Sequence, residues 1–210
     1  MTMSIPKYRS LTFAIFVVGL CCLSSLYAQN QNPNATTLSV LEGLHIISVV
    51  PWAEGSHDLL AVISERSVTV GQETGPIRVL TIYRKEGRGL IKILAVETLD
   101  TFAAAFPLNE TGGRLFVAWT AGSAYHFAVY TSAAGNVKQI LEGSSRGMPE
   151  FVVNQSESES ILISKKIFVN GEWRRTDEST TDVYSWDGAR YEAQKDVPWK
   201  DRLTIAAKAH

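Results

Sequence analysis

The sequence has no cysteine beyond Cys22: its two, Cys21 and Cys22, both fall in the first 28 residues. The remainder therefore has no disulfide framework, no thiol nucleophile and no thiolate ligand for a metal, and must hold itself together by core packing. Charge of one sign is also lacking, with 20 Lys and Arg against 21 Asp and Glu and a net charge of −1. That excludes the basic footprint of a nucleic-acid binder. Apolar runs are short: the longest without a charge, Leu11–Leu23, is below the ~20 residues a spanning helix needs. The four histidines, His45, His57, His126 and His210, never stand two or four residues apart, so no local metal pair exists. No Gly-x-Ser-x-Gly elbow occurs, and no glycine-rich loop joins a strand to a helix to cradle phosphate. No cofactor and no metal are expected.

What is present begins with an export signal. Lys7 and Arg9 precede the uncharged run, and Ser24-Ser25-Leu26-Tyr27-Ala28 places small residues where a signal peptidase cuts. The pattern predicts a signal peptide over residues 1–28, cleavage between Ala28 and Gln29, and a periplasmic or secreted product with no membrane span after signal removal. Residues 29–37, rich in Asn and Gln, read as a flexible linker. An all-β repeat domain is expected over residues 38–200, followed by a C-terminal tail over 201–210.

Within that domain, short stretches rich in β-branched and aromatic residues alternate with turn residues. Strands are predicted at 45–52, 59–64, 77–84, 90–97, 102–106, 114–120, 125–131, 137–141, 150–153, 161–169, 172–175, 182–186 and 190–194. No window of a dozen residues carries helical periodicity. Three segments share one design: a β-branched residue, a tyrosine, a glycine turn four or five residues on, and a new apolar strand. They begin at Ile82-Tyr83, Val129-Tyr130 and Val183-Tyr184. The strands before them, at Leu59–Ile63, Leu115–Trp119 and Ile161–Ser164, recur at the same interval of about fifty residues, the length of a four-stranded propeller blade. Asn170-Gly171, between Val169 and Glu172, predicts an additional hairpin in the third repeat.

The segment Tyr184-Ser185-Trp186-Asp187-Gly188-Ala189-Arg190-Tyr191 resembles the closing hairpin of secreted bacterial β-propeller repeats of the FG-GAP/VCBS-like kind. The resemblance implies propeller-like blades, without the calcium loops of those families, since no Asp-x-Asp occurs. Three repeats are fewer than the four or more that usually close a ring. The expected fold is thus a partial propeller or one completed by a homodimer, the alternative being a β-sandwich or open barrel.

Candidate site residues follow from residue type. Trp52, Trp119, Trp173 and Trp186 are amphipathic rings suited either to an inter-sheet core or to a sugar or protein platform. Lys165, Lys166, Arg174 and Arg175 flank the Asn170-Gly171 hairpin and would meet an acidic partner or protect an edge from pairing. Asp58, Glu65, Asp100, Glu150, Asp182 and Asp187 lie near strand ends, and nothing in their spacing selects a catalytic pair. With no catalytic motif in the linear sequence, the primary expectation is a non-enzymatic binding or scaffolding module that recognises a protein or glycan partner through its loops. The alternative is a glycosidase-like hydrolase acting on polysaccharide or cell-wall material.

Overall fold

The structure, a computed structural model, describes residues 41, 43–54, 57–108, 113–133, 136–153, 159–165, 167–169, 172–174 and 180–208. The expected signal peptide with its expected cleavage pair Ala28/Gln29, Lys166, Asn170-Gly171 and Arg175 lie outside the described residues.

The domain is all-β and propeller-like: three four-stranded antiparallel sheets and one two-stranded hairpin. The first sheet is a meander of β1 (His45–Glu54), β2 (His57–Val70), β3 (Glu73–Glu86) and β4 (Gly89–Thr98). The second repeats it with β5 (Thr101–Pro107), β6 (Arg114–Ala121), β7 (Ala124–Ala133) and β8 (Asn136–Ser145). The third is built from β9 (Glu150–Val153), β10 (Glu159–Ser164), β13 (Thr180–Trp186) and β14 (Tyr191–Pro198). Between its second and third strands the hairpin of β11 (Ile167–Val169) and β12 (Glu172–Arg174) is inserted. The recurring strands of the sequence are the second strands β2, β6 and β10, and the three tyrosines stand on the third strands β3, β7 and β13.

One predicted strand differs. Residues 161–169 form β10 and β11, separated at Lys165. Lys165 N–H donates to the Thr180 carbonyl at 3.1 Å, which carries the β10–β13 pairing one residue further and closes the neck of the inserted hairpin. The expected tail also differs: Arg202–Lys208 is a short helix, α1, after a single 3₁₀ turn at Trp199–Asp201. Seven residues are too few for periodicity to be read, and packing rather than propensity stabilises so short a helix.

The sheets stack face to face because their central strands are apolar on both sides. In β6, Leu115, Val117 and Trp119 join Trp52, Leu59, Ile63, Leu80 and Ile82 of the first sheet. Alternate residues Phe116 and Ala118 join Phe127, Ile161 and Ile163 against the third. Strand pleating sends successive side chains to opposite faces, so the fully buried run of β6 serves two interfaces at once. Phe116 is the hub of the second interface, with ring centroids 4.8 Å from Phe151, 5.1 Å from Phe106 and 5.7 Å from Phe127. Gly143 is required here: a Cβ on it would lie 2.8 Å from Cζ of Phe127, its cross-strand partner.

The third sheet is covered on its outer face, while the first sheet leaves Val49 41% and Ile91 45% exposed. Ile205 and Ala206 of α1 pack on Leu162, Val183 and Val197 of the third sheet. On the first sheet, Leu41 packs on Val62 and Tyr83.

The second and third sheets are also pinned by a buried ion pair. Arg114 Nη2 donates to Glu159 Oε2 at 2.5 Å, and Tyr191 Oη donates to the other oxygen at 2.6 Å. The Arg114 guanidinium lies 4.1 Å over the Trp186 ring, which meets Tyr191 edge-on at 5.2 Å. Burial first, then the neighbouring Glu159 charge, pushes the Tyr191 phenol far above its ordinary range, so it remains a hydrogen-bond donor.

Candidate functional site

At one end of the stack, where β7 begins and β8 and β10 end, the chain leaves a cavity of about 490 Å³. Ala124 and His126 of β7 and Ser144, Ser145 and Arg146 at the end of β8 form one wall. Ser164 and Lys165 at the end of β10 form the other.

His126 is held from one side. Its Nδ1 lies 2.8 Å from Asp100 Oδ2, in the connection between β4 and β5. That connection is itself fixed: Asp100 N–H donates to Thr98 Oγ1 at 3.1 Å, and Arg78 Nη1 donates to the Leu99 carbonyl at 3.3 Å. A carboxylate only accepts, so Nδ1 carries the hydrogen and Nε2 is the ring's basic nitrogen. On the other side stands Ser144, the direct cross-strand partner of His126. Opposed residues of an antiparallel pair share a face, with Cβ atoms about 4.5–5.5 Å apart. The strand order β5-β6-β7-β8 therefore puts His126 between Asp100 on the β5 side and Ser144 on the β8 side. Ser144 thus shares a sheet face with an imidazole that a carboxylate orients, and an oriented imidazole is one component of a serine-activating site.

Arg146 crosses the mouth of the cavity. Its Nη1 donates to Ser123 Oγ at 2.9 Å in the β6–β7 turn, and its N–H donates to the Ser164 carbonyl at 3.3 Å. Lys165 faces the cavity while its Nζ is bridged to Asp182 Oδ1 at 2.8 Å and Asp196 Oδ1 at 3.0 Å. Lys195 closes the cluster at 3.1 Å from Asp182 Oδ2, and Asp196 N–H donates to Asp182 Oδ1 at 3.0 Å. Burial alone would raise the Asp182 carboxyl. The hydrogen bonds from Lys165, the Asp196 backbone and Lys195 together outweigh it and hold the group below its ordinary value. Asp196 sits at a φ of 54°, opposite the register shift between Thr181 and Val183, and that left-handed turn aims its N–H at Asp182.

The other sequence candidates are placed as follows. Trp52 and Trp119 are 2% and 7% exposed and fill the space between the first two sheets, so they are core side chains and not platforms. Trp119 is nonetheless the cross-strand partner of His126 and meets Phe102 edge-on at 5.7 Å, so it forms the bed on which the dyad rests. Trp186 is partly buried beneath Arg114. Trp173 and Arg174 fall in β12. Of the basic hairpin residues, Lys165 belongs to the Asp182 cluster. Among the carboxylates, Asp187 Oδ1 accepts the N–H groups of Ala189 and Arg190 at 2.7 and 2.8 Å and serves its turn. Glu65 pairs with Arg78, Glu150 with Arg202 and Asp58 with Lys85. Among the described residues, no group of three or more His, Cys, Asp or Glu is gathered to hold a metal.

No family model and no curated protein matches the chain. Among solved structures it is similar to a GH32 β-fructofuranosidase from Bombyx mori, with 13% identity and a TM-score of 0.38, over 73% of this chain and 38% of that one. It is similar also to a mutant of that enzyme in complex with sucrose, with 13% identity and a TM-score of 0.34, over 69% of this chain and 35% of the other. The chain thus spans less than two fifths of the length of either. At this level the likeness describes an arrangement of strands. The expectation of a non-enzymatic binding or scaffolding module is corrected here. The similar solved structures are, by name, β-fructofuranosidases. That expectation rested on the absence of linear catalytic motifs, and the Asp100–His126 pair beside Ser144 is assembled across three strand connections, where no linear motif reports it.

Proposed function

We propose that the domain is an exported hydrolase that cleaves ester linkages on polysaccharide or cell-wall material. The observation that carries this reading is the oriented imidazole: His126 Nδ1 on Asp100 at 2.8 Å, with Ser144 its cross-strand neighbour at the cavity wall. In this reading Ser144 Oγ attacks the ester carbonyl carbon while its proton passes to His126 Nε2. That proton goes to the departing alcohol as the C–O bond breaks. Water then attacks the acyl-serine, activated by the same nitrogen, and releases the acid and the free serine. Asp100 keeps the ring in its tautomer throughout.

An acetal-cleaving site needs two carboxyls facing across a cleft, one of them protonated. Among the described residues no carboxylate lines this cavity, and Asp182 behind it is held ionised by two lysines. Ester hydrolysis is therefore favoured over the glycosidic form of the hydrolase expectation. The test compares p-nitrophenyl acetate with a panel of p-nitrophenyl glycosides. Ester turnover should fall roughly 10²–10⁴-fold in both Ser144→Ala and His126→Ala. Turnover of a glycoside that is untouched by Ser144→Ala would overturn the assignment.

A further inference from the structure

At one end of the first sheet three polar residues stand in a row. Glu65 of β2, Arg78 of β3 and Thr98 of β4 are direct cross-strand neighbours. Each lies two residues along its strand from Ile63, Leu80 or Val96, which pack toward the second sheet. Side chains two apart on a strand share a face, so the polar row is also turned to the second sheet. On the opposing surface, His126 stands two residues before Ala128 of the same core. The two surfaces are joined here by the β4–β5 connection, which is only Leu99 and Asp100 between Thr98 and Thr101.

The row grips that connection at a single peptide unit. Arg78 Nη1 donates to the Leu99 carbonyl at 3.3 Å, and Thr98 Oγ1 accepts the Asp100 N–H at 3.1 Å. The Leu99 carbonyl and the Asp100 N–H belong to the same planar group, so two bonds from opposite edges fix the plane. The plane in turn sets the direction in which the Asp100 side chain leaves the backbone. Arg78 is itself held: its Nε lies 2.8 Å from Glu65 Oε2, and its side chain is 15% exposed. A guanidinium has a rigid fork, so a carboxylate on one edge and a carbonyl on another leave it one position.

We infer that Arg78, braced by Glu65, and Thr98 are positioning residues for the Asp100–His126 pair. They fix the Leu99–Asp100 peptide, the peptide aims the carboxylate, and the carboxylate keeps the hydrogen of the neutral imidazole on Nδ1 and leaves Nε2 as the base. The link from first sheet to imidazole holds whatever the imidazole does; its effect on turnover rests on the hydrolase reading.

The experiment reads the His126 tautomer from its ring nitrogen NMR shifts at alkaline pH, where the ring is neutral, alongside p-nitrophenyl acetate turnover. The wild-type ring should be in the Nδ1–H form, and Asp100→Ala should give the form without the carboxylate. Arg78→Met and Thr98→Val should each move the ring toward that second form, and kcat should fall about tenfold with KM little changed. Thr98→Ser keeps the acceptor and should keep the wild-type form. Arg66→Met breaks the Arg66–Glu97 pair of the same sheet and should also keep it. Thr98→Val preserves the shape of the side chain and carries the test if Arg78→Met does not fold. A wild-type tautomer in both Arg78→Met and Thr98→Val, or the same change in Thr98→Ser or Arg66→Met, would overturn the inference. Lost turnover with an unchanged tautomer sinks the positioning role and leaves the hydrolase. The expected tautomer changes with no turnover of the ester by any form sink the hydrolase and leave the positioning role.

Discussion

Replacing Glu159 with glutamine removes one charge from the interface of the second and third sheets and leaves its shape unchanged. Glu159 is 2% exposed and Arg114 8%, so neither can turn to water when its partner is lost. In the native protein both carboxylate oxygens are used, by Arg114 and by Tyr191. Glutamine keeps one acceptor for Tyr191 and turns either an amide NH₂ or a weaker carbonyl toward the guanidinium. An uncompensated buried charge then remains, stacked on Trp186, with Arg114 Nε already lacking a hydrogen-bond partner. Breaking such a pair from one side costs about 3–5 kcal/mol. For a chain of this length that lowers the melting temperature by on the order of 10 °C. Urea titration reads the first and a thermal scan the second, both followed by tryptophan fluorescence with Trp186 as a local reporter. The double variant Arg114→Met/Glu159→Leu removes both charges and should recover most of the loss, because the cost lies in the orphaned charge and not in the missing pair. A loss below about 1 kcal/mol in Glu159→Gln, or a double variant as unstable as the single, would show that water reaches this interface.

Two further outcomes follow from the packing and the charges. Asp182 is held below its ordinary value when folded, so its contribution to stability is present above the unfolded carboxyl value of 3.8 and is lost as pH falls through the lower folded one. Asp182→Asn should therefore be less stable at neutral pH and lose less on acidification, as chemical denaturation between pH 7 and 3 would show; parallel curves for the two proteins would count against it. The helix α1 covers the third sheet, so removing residues 202–210 uncovers Leu162, Val183 and Val197 and should lower the melting temperature by several degrees in a thermal scan. An unchanged melting temperature would show that the helix adds nothing to that face.

The fold was legible because its signals are local. Glycine turns after Tyr83 and Tyr184, at φ 57° for Gly87 and 100° for Gly188, mark the closing hairpin of the first and third sheets. The second strands recur at an interval of about fifty residues, and that repeat is visible in the linear sequence. The helix α1 was not legible, since seven residues carry less than two turns of pattern and its partners Leu162, Val183 and Val197 come from the third sheet. The ion pair of Arg114 with Glu159 was hidden for the same reason: 45 residues separate two charges whose burial depends on how two sheets meet.

The site was less legible still, and the register of one hairpin explains why. Asp100 and His126 were both visible as candidates of their type, and Ser144 was not among them. Counting outward from the β7–β8 turn, Ala133 faces Asn136 and Tyr130 faces Gln139. Continued without interruption, that register would set His126 against Gly143 and would put Ser144 opposite Tyr125. Instead the pairing shifts between Tyr130 and Val129, so that Val129 faces Leu141, Phe127 faces Gly143 and His126 faces Ser144. One extra residue in β8 thus does two things. It lays the Phe127 ring over Gly143, which has no Cβ to meet it, and it places a serine opposite the histidine. A slip of one residue in a strand reverses every side chain beyond it. The tight Gly143–Phe127 contact therefore locks the register on which the pairing of Ser144 with His126 depends, which ties the chemistry proposed at the rim to the packing of the core beneath it.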